Sequence, residues 1–153
     1  MTRTSGRILQ GVAALLVLLA PAAQAGLGEG VAAVARDHAA LRGRTLTVTP
    51  MQAYDRHEST TAAGIRIHEY VSRAGTVFAV TFDGPSIPDL KVLLGTQYGA
   101  YVVATSSRRV NHKVLSIHTP DLVMQVVKLP RGFSGEAHVP GLVPAGVNRS
   151  ELR

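Results

Sequence analysis

Three side chains lie close enough along the chain to build a reactive centre: His57, His68 and Glu69. Imidazole and carboxylate together can bind a metal or move protons. If the chain reverses near Ala62-Ala63, His57 falls opposite His68 on neighbouring strands, with Asp55 and Tyr70 close by. Two facing histidines can begin a zinc or copper site. The same register sets Arg56 opposite Glu69, and a cross-strand ion pair would account for an acid on an apolar face. The remaining histidines, His38, His112, His118 and His138, show no H-x-H or H-E-x-x-H spacing. Gly132-Phe133-Ser134-Gly135 falls short of G-x-S-x-G, because Glu136 stands where the last glycine belongs. No phosphate-cradling or dinucleotide-binding glycine loop is present. The absence of cysteine excludes thiol catalysis, disulfide exchange and cysteine-ligated metals. The residues therefore assign no catalytic, cofactor-binding or metal-binding set.

Positioning any of these side chains falls to the stretch Gly64–Gly95. Alternation from Ile65 to Ser72 and from Thr76 to Phe82, rich in β-branched and aromatic residues, predicts two half-buried strands. Ala74-Gly75 between them predicts a tight turn, with Val71 facing Phe78 and Ile67 facing Phe82. The core face is then Ile65, Ile67, Val71, Phe78, Val80 and Phe82, with Glu69 among them. Gly84-Pro85 ends the second strand, since proline lacks an N–H for the ladder. Ser86 and Asp89 have capping-box spacing, and Ile87, Leu90, Leu94, Tyr98 and Tyr101 follow as a helical stripe. Gly95 or Gly99 is expected to end that helix.

An earlier helix is predicted over Gly28–Leu41, with Val31, Val34, Ala35, His38 and Leu41 as its apolar stripe. Leu46–Thr49 and Met51–Glu58 read as extended. Val114–His118, Leu122–Leu129 and Phe133–Val139 complete the strands, with a turn at Pro130-Arg131-Gly132. The basic cluster Arg108, Arg109, His112 and Lys113 reads as a solvated loop.

The first 25 residues have the parts of a secretory signal peptide: Arg3 and Arg7, an apolar run from Ile8 to Ala20, and Ala23-Gln24-Ala25. Cleavage is expected after Ala25. A single domain over residues 26–147 and a tail over 148–153 follow. Losing Arg3 and Arg7 takes two charges from the formal +6 and leaves +4. The remaining cations are scattered and few aromatics lie among them, which is no nucleic-acid footprint. No transmembrane span remains once the signal is removed.

The run EYVSRAGTVFAVTFDGPSIPDLKVLLG, the later PDLVMQVV, a glycine turn with Phe133, and VPGLVPAGV near the end resemble an uncharacterised family of small secreted proteobacterial proteins. Phe82 stands where that family usually shows tryptophan. The resemblance implies a periplasmic or secreted location and no known activity.

The fold predicted is α+β: an N-terminal helix, an antiparallel meander, a second helix on the sheet and a C-terminal β-hairpin, similar in layout to cystatin-like or PepSY-like domains. The function predicted is a non-catalytic binding or accessory module of the cell envelope, its partner a protein, a peptide or an envelope polymer. That reading expects an uncovered sheet edge or groove and no cluster of buried titratable groups. The alternative is a small periplasmic hydrolase or metal-binding protein using His57, His68 and Glu69, which requires those side chains to converge.

Overall fold

Two reversals of matching chemistry set the register of the sheet. Thr61-Ala62-Ala63-Gly64 and Ser72-Arg73-Ala74-Gly75 each place three residues in a hairpin loop, closed by Thr61 N–H to Ile65 C=O and by Ser72 N–H to Thr76 C=O. Gly64 and Gly75 sit at φ +79° and +80°, a conformation glycine adopts without a Cβ penalty. The hydroxyls of Thr61 and Ser72 accept from the N–H groups of Ile65 and Thr76. Each reversal is therefore one residue longer than a two-residue turn.

The computed structural model describes residues 26–106 and 113–152. The predicted signal segment and most of the predicted basic loop lie outside them. Helix α1 (Ala32–Ala40) leads into strands β1 (Gly43–Pro50), β2 (Tyr54–Thr61), β3 (Arg66–Ser72) and β4 (Val77–Gly84). Helix α2 (Leu90–Leu94), a short 3-10 turn and helix α3 (Tyr98–Ser106) then cross over. Strands β5 (Val114–His118), β6 (Val123–Leu129) and β7 (Gly132–His138) run back toward β4. All seven form one antiparallel sheet in the order β1-β2-β3-β4-β7-β6-β5. The α+β expectation holds, and the last hairpin docks beside the first meander as part of the same sheet.

One sheet face is packed under the helices. Its core includes Leu27, Val34, Ile67, Val71, Val77, Val80, Phe82, Leu93, Leu94, Ile117, Leu122 and Met124. The segment before α1 is stitched down by Leu27 N–H to Leu93 C=O and Gly28 N–H to Val77 C=O. In α1 the buried positions are Ala33, Val34 and Asp37, not the predicted Val31, Ala35 and His38. The predicted capping box also shifts. Asp89, not Ser86, caps α2 by accepting from Lys91 and Val92 N–H, and Ile87 is exposed.

The expected Val71–Phe78 contact is absent. Val71 pairs with Val77 while Tyr70 pairs with Ala79, so Phe78 is the extra residue of a β-bulge. The bulge absorbs the longer turn, and the expected Ile67–Phe82 pair stands. It also turns Phe78 to the opposite face, where it joins Tyr54, Tyr70, Ala79 and Leu152. Leu152, in the segment predicted as a tail, is buried there.

Gly135 faces Phe82 across β7 and β4. A Cβ at Gly135 would lie 2.3 Å from two ring carbons of Phe82, which is buried. Gly135→Ala is therefore expected to cost about 1–3 kcal/mol by overpacking, measured by urea unfolding. A neutral result would place the ring elsewhere.

Candidate functional site

The helix-covered face holds the acid that the sequence singled out. Glu69 projects from β3 and is 2 % exposed; Asp37 projects from α1 and is fully buried. Their carboxyl groups are within hydrogen-bond reach of each other. No other described donor reaches Asp37 Oδ1, Asp37 Oδ2 or Glu69 Oε1. Two ionised carboxylates cannot share such a site, so one proton between them is the bond available to both. Burial is the main cause of a rise in Asp37 from its ordinary 3.8 to about 7, opposed by the bond to Glu69 and by Arg36. Burial likewise lifts Glu69 from 4.5 to about 8, with the charge of Asp37 and the shared bond adding to it.

The predicted partner of Glu69 is elsewhere. His57, not Arg56, stands opposite Glu69, and Arg56 stands opposite Tyr70 on the other face. The cause is the extra residue in the Thr61–Ile65 reversal, which slips the register by one. The same slip separates the two histidines. His57 shares the helix-side face with Glu69, whereas His68 pairs with Glu58 and faces away. The predicted convergence of His57, His68 and Glu69 therefore fails. Among the described residues no group of three or more histidines and acids is arranged to hold a metal.

The opposite face carries a continuous polar row. Following the register from strand to strand, Thr47, Glu58, His68, Thr81, Glu136, Gln125 and Ser116 stand side by side. Sequence reasoning missed this row, because its members are scattered along the chain from Thr47 to Glu136 and each looks like an ordinary solvent-facing residue. Within it, His68 Nε2 lies 3.3 Å from Glu58 Oε2. The ring N–H is off line for a directed hydrogen bond, so this contact is mainly electrostatic. His68 Nδ1 lies 3.5 Å from Thr81 Oγ1, which lies 3.4 Å from the Tyr70 hydroxyl. A proton on Nε2, beside the carboxylate, leaves Nδ1 to accept from Thr81, which then accepts from Tyr70. Burial lowers the His68 pKa more than Glu58 raises it, which keeps the ring neutral at neutral pH.

Threonine, histidine and glutamate in that order have the connectivity of a nucleophile, its base and an orienting acid. Each of β3, β4 and β7 is flanked on both sides, so the sheet ladder occupies the main-chain N–H groups beside this relay.

A family model described as Protein of unknown function (DUF2844) matches residues 23–152. The chain belongs to the DUF2844 family. No curated protein and no solved structure matches it.

Two adjoining concavities mark the outer face of this DUF2844 chain. One, of about 520 Å³, is floored by His68, Thr81, Asp83, Gln125, Ser134 and Glu136, with Leu152 at its side. The other, of about 590 Å³, is lined by Pro85, Leu129, Pro130, Arg131 and Phe133, and shares Asp83 with the first. Arg66 bridges Glu58 and Asp83 at 3.8 and 3.7 Å along the rim. At the sheet margin, β1 pairs with β2 alone among the described residues. Its Leu46 and Val48 are 41 % and 51 % exposed. Asp37 and Glu69 line neither concavity. No helix among the described residues is long and apolar enough to cross a membrane.

Proposed function

We propose that this chain is a secreted or periplasmic module of the proteobacterial cell envelope that binds without catalysis, by accepting an extended strand of a partner protein along β1. β1, the longer of the two edge strands among the described residues, carries this reading. β1 is eight residues long and lacks a partner on its outer side among the described residues. Thr45, Thr47 and Thr49 alternate with Leu46 and Val48, which gives an added strand a hydroxyl side and an apolar side. Main-chain pairing supplies affinity in such additions, and alternate side-chain contacts supply selectivity. An edge of this length left bare is otherwise an aggregation hazard.

The location rests on the signal-peptide features of residues 1–25. The buried acid pair runs against one expectation of a binding module, which was to have no such cluster. Both acids are buried and line neither concavity of the outer face.

A photo-crosslinking residue at position 48, in intact cells, tests the proposal. Adducts with a discrete partner are expected there and not from the same group at Lys128, on the far side of the sheet. Leu46→Lys, in a chain that keeps the crosslinking residue at position 48, is expected to abolish them while changing stability by less than about 0.5 kcal/mol. Equal labelling from both positions would contradict strand addition at β1.

A further inference from the structure

We propose that the strand accepted along β1 is β1 of a second copy of this chain, the two sheets joining about a twofold axis at Thr47. The proposal rests on the reading of β1 as a strand-accepting edge, and names the partner. Met51 N–H donates to Tyr54 C=O, and inward and outward main-chain groups alternate along an antiparallel ladder. Thr45, Thr47 and Thr49 therefore turn theirs to β2, opposite Thr60, Glu58 and Arg56. Leu46 and Val48 turn theirs outward, where no strand pairs with them among the described residues.

Two features confine the pairing run and fix its centre. At one end Arg44 is the extra residue of a bulge, between the pairs Gly43–Thr61 and Thr45–Thr60. At the other end Pro50 has no N–H to give. The usable run is Thr45–Thr49, and its middle residue is Thr47. Antiparallel pairing of two copies about that residue sets Leu46 opposite Val48, Thr45 opposite Thr49 and Thr47 opposite Thr47. Outward groups then meet outward groups. Each Leu46–Val48 pair exchanges two main-chain bonds, about four across the seam. A centre at Leu46 would bring the bulged Arg44 into the ladder. A centre at Val48 would set Pro50 opposite Leu46, with a donor missing.

The side chains match as the backbone does. From Thr45 to Thr49 hydroxyl meets hydroxyl and aliphatic meets aliphatic, both favourable cross-strand pairs. Leu46 and Val48, 41 % and 51 % exposed in the single chain, join their counterparts in one apolar patch. Arg44 is the one ionisable side chain of β1. The twofold axis sends the Arg44 of each copy to opposite ends of the seam, so no like charges meet. Such an isologous contact closes at two copies. No β1 edge remains to recruit further chains, which ends the aggregation hazard of a bare edge.

The chain has no cysteine, so one introduced thiol reports on one contact. The full chain is co-expressed as two differently tagged copies, oxidised, captured on one tag and probed for the other on non-reducing gels. Thr47→Cys is expected to link the copies. A facing pair without mutual main-chain bonds brings Cα atoms to about 4.5 Å, within disulfide reach. Thr45→Cys and Thr49→Cys are each expected not to link to themselves, since their Cα atoms would lie roughly 14 Å apart. A Thr45→Cys copy is expected to link to a Thr49→Cys copy. Adding Leu46→Lys to Thr47→Cys should cut the linked fraction at least about tenfold, because in a symmetric contact the two ammonium groups face each other diagonally. Thr47→Cys left unlinked, while position 48 crosslinks to a different protein, would overturn the second copy and leave strand addition standing. No adduct from either position would overturn both. Thr45→Cys linking to itself as strongly as Thr47→Cys would overturn the twofold register.

Discussion

Replacing Glu69 with glutamine is expected to stabilise the protein at pH 8 by about 2–4 kcal/mol and to change little at pH 4. The sign follows from the direction of the shifts. Asp37 and Glu69 are raised in the fold, from 3.8 to about 7 and from 4.5 to about 8. A raised acid favours the protonated folded state, so its contribution is complete below its unfolded pKa. That contribution is lost as pH rises through the folded value. Between about pH 4 and pH 8 the unfolded chain releases protons that the folded chain retains, and stability falls. A glutamine in place of Glu69 would carry no charge to bury. Its amide N–H would also donate to Asp37, which eases ionisation of the remaining acid. His57 and His68 act in the other sense. Burial lowers both of their pKa values, so their contribution is lost as pH falls below the ordinary histidine value. The mutant-minus-wild-type difference, taken by urea unfolding at pH 4, 6 and 8, isolates the acid pair from that background. A difference that is flat with pH, or a Glu69→Gln variant less stable at pH 8, would contradict a buried shared proton.

The second large effect concerns the bulged residue. Phe78→Ala is expected to cost about 3–5 kcal/mol, the usual range for deleting a buried aromatic ring. Phe78 is fully buried, with ring centroids 5.8 Å from Tyr54 and 6.2 Å from Tyr70. Its neighbourhood separates the observed fold from an unbulged hairpin. Phe78 shares a cluster with Leu152, so Phe78→Ala and Leu152→Ala should be non-additive in a double-mutant cycle. Phe78→Ala and Val71→Ala should be closer to additive, since those side chains lie in different clusters. Strong interaction between positions 71 and 78, and none between 78 and 152, would restore the hairpin without a bulge.

The strands were legible because alternation and the two glycine reversals are local signals. What failed was counting. Thr61-Ala62-Ala63-Gly64 and Ser72-Arg73-Ala74-Gly75 contain the residues of three-residue loops, in which the third loop residue takes positive φ. Read as turns centred one step differently, the first slips His57, His68 and Arg56 past their expected partners. The second slip is cancelled by the bulge, which the run Val77-Phe78-Ala79-Val80 conceals, because every residue in it suits either face. Asp37 escaped notice for a related reason. It lies four residues beyond Ala33 on the buried side of α1, but an acid there reads as the polar side of a helix. Glu69 was visible as an anomaly, and its partner was not, because that partner comes from a different element.

Burial of Leu152 was equally silent, since the final residues carry no strand or helix pattern that would tie them to the sheet. Yet the C-terminal segment divides the outer face. It covers Tyr54, Tyr70 and Phe78 with Leu152, Val143 and Val147, and leaves the polar row beside them open. The molecule thus keeps its most perturbed acids under the helices and its hydrogen-bonding side chains on the opposite surface.

That partition is tested most directly by carbon-13 NMR of the side-chain carboxyl groups across pH 3–9. Asp37 and Glu69 are expected to titrate late, with midpoints near 7 and 8. Midpoints in the ordinary carboxylate range for both acids would mean that water reaches them, and that the sheet does not divide the chemistry as described.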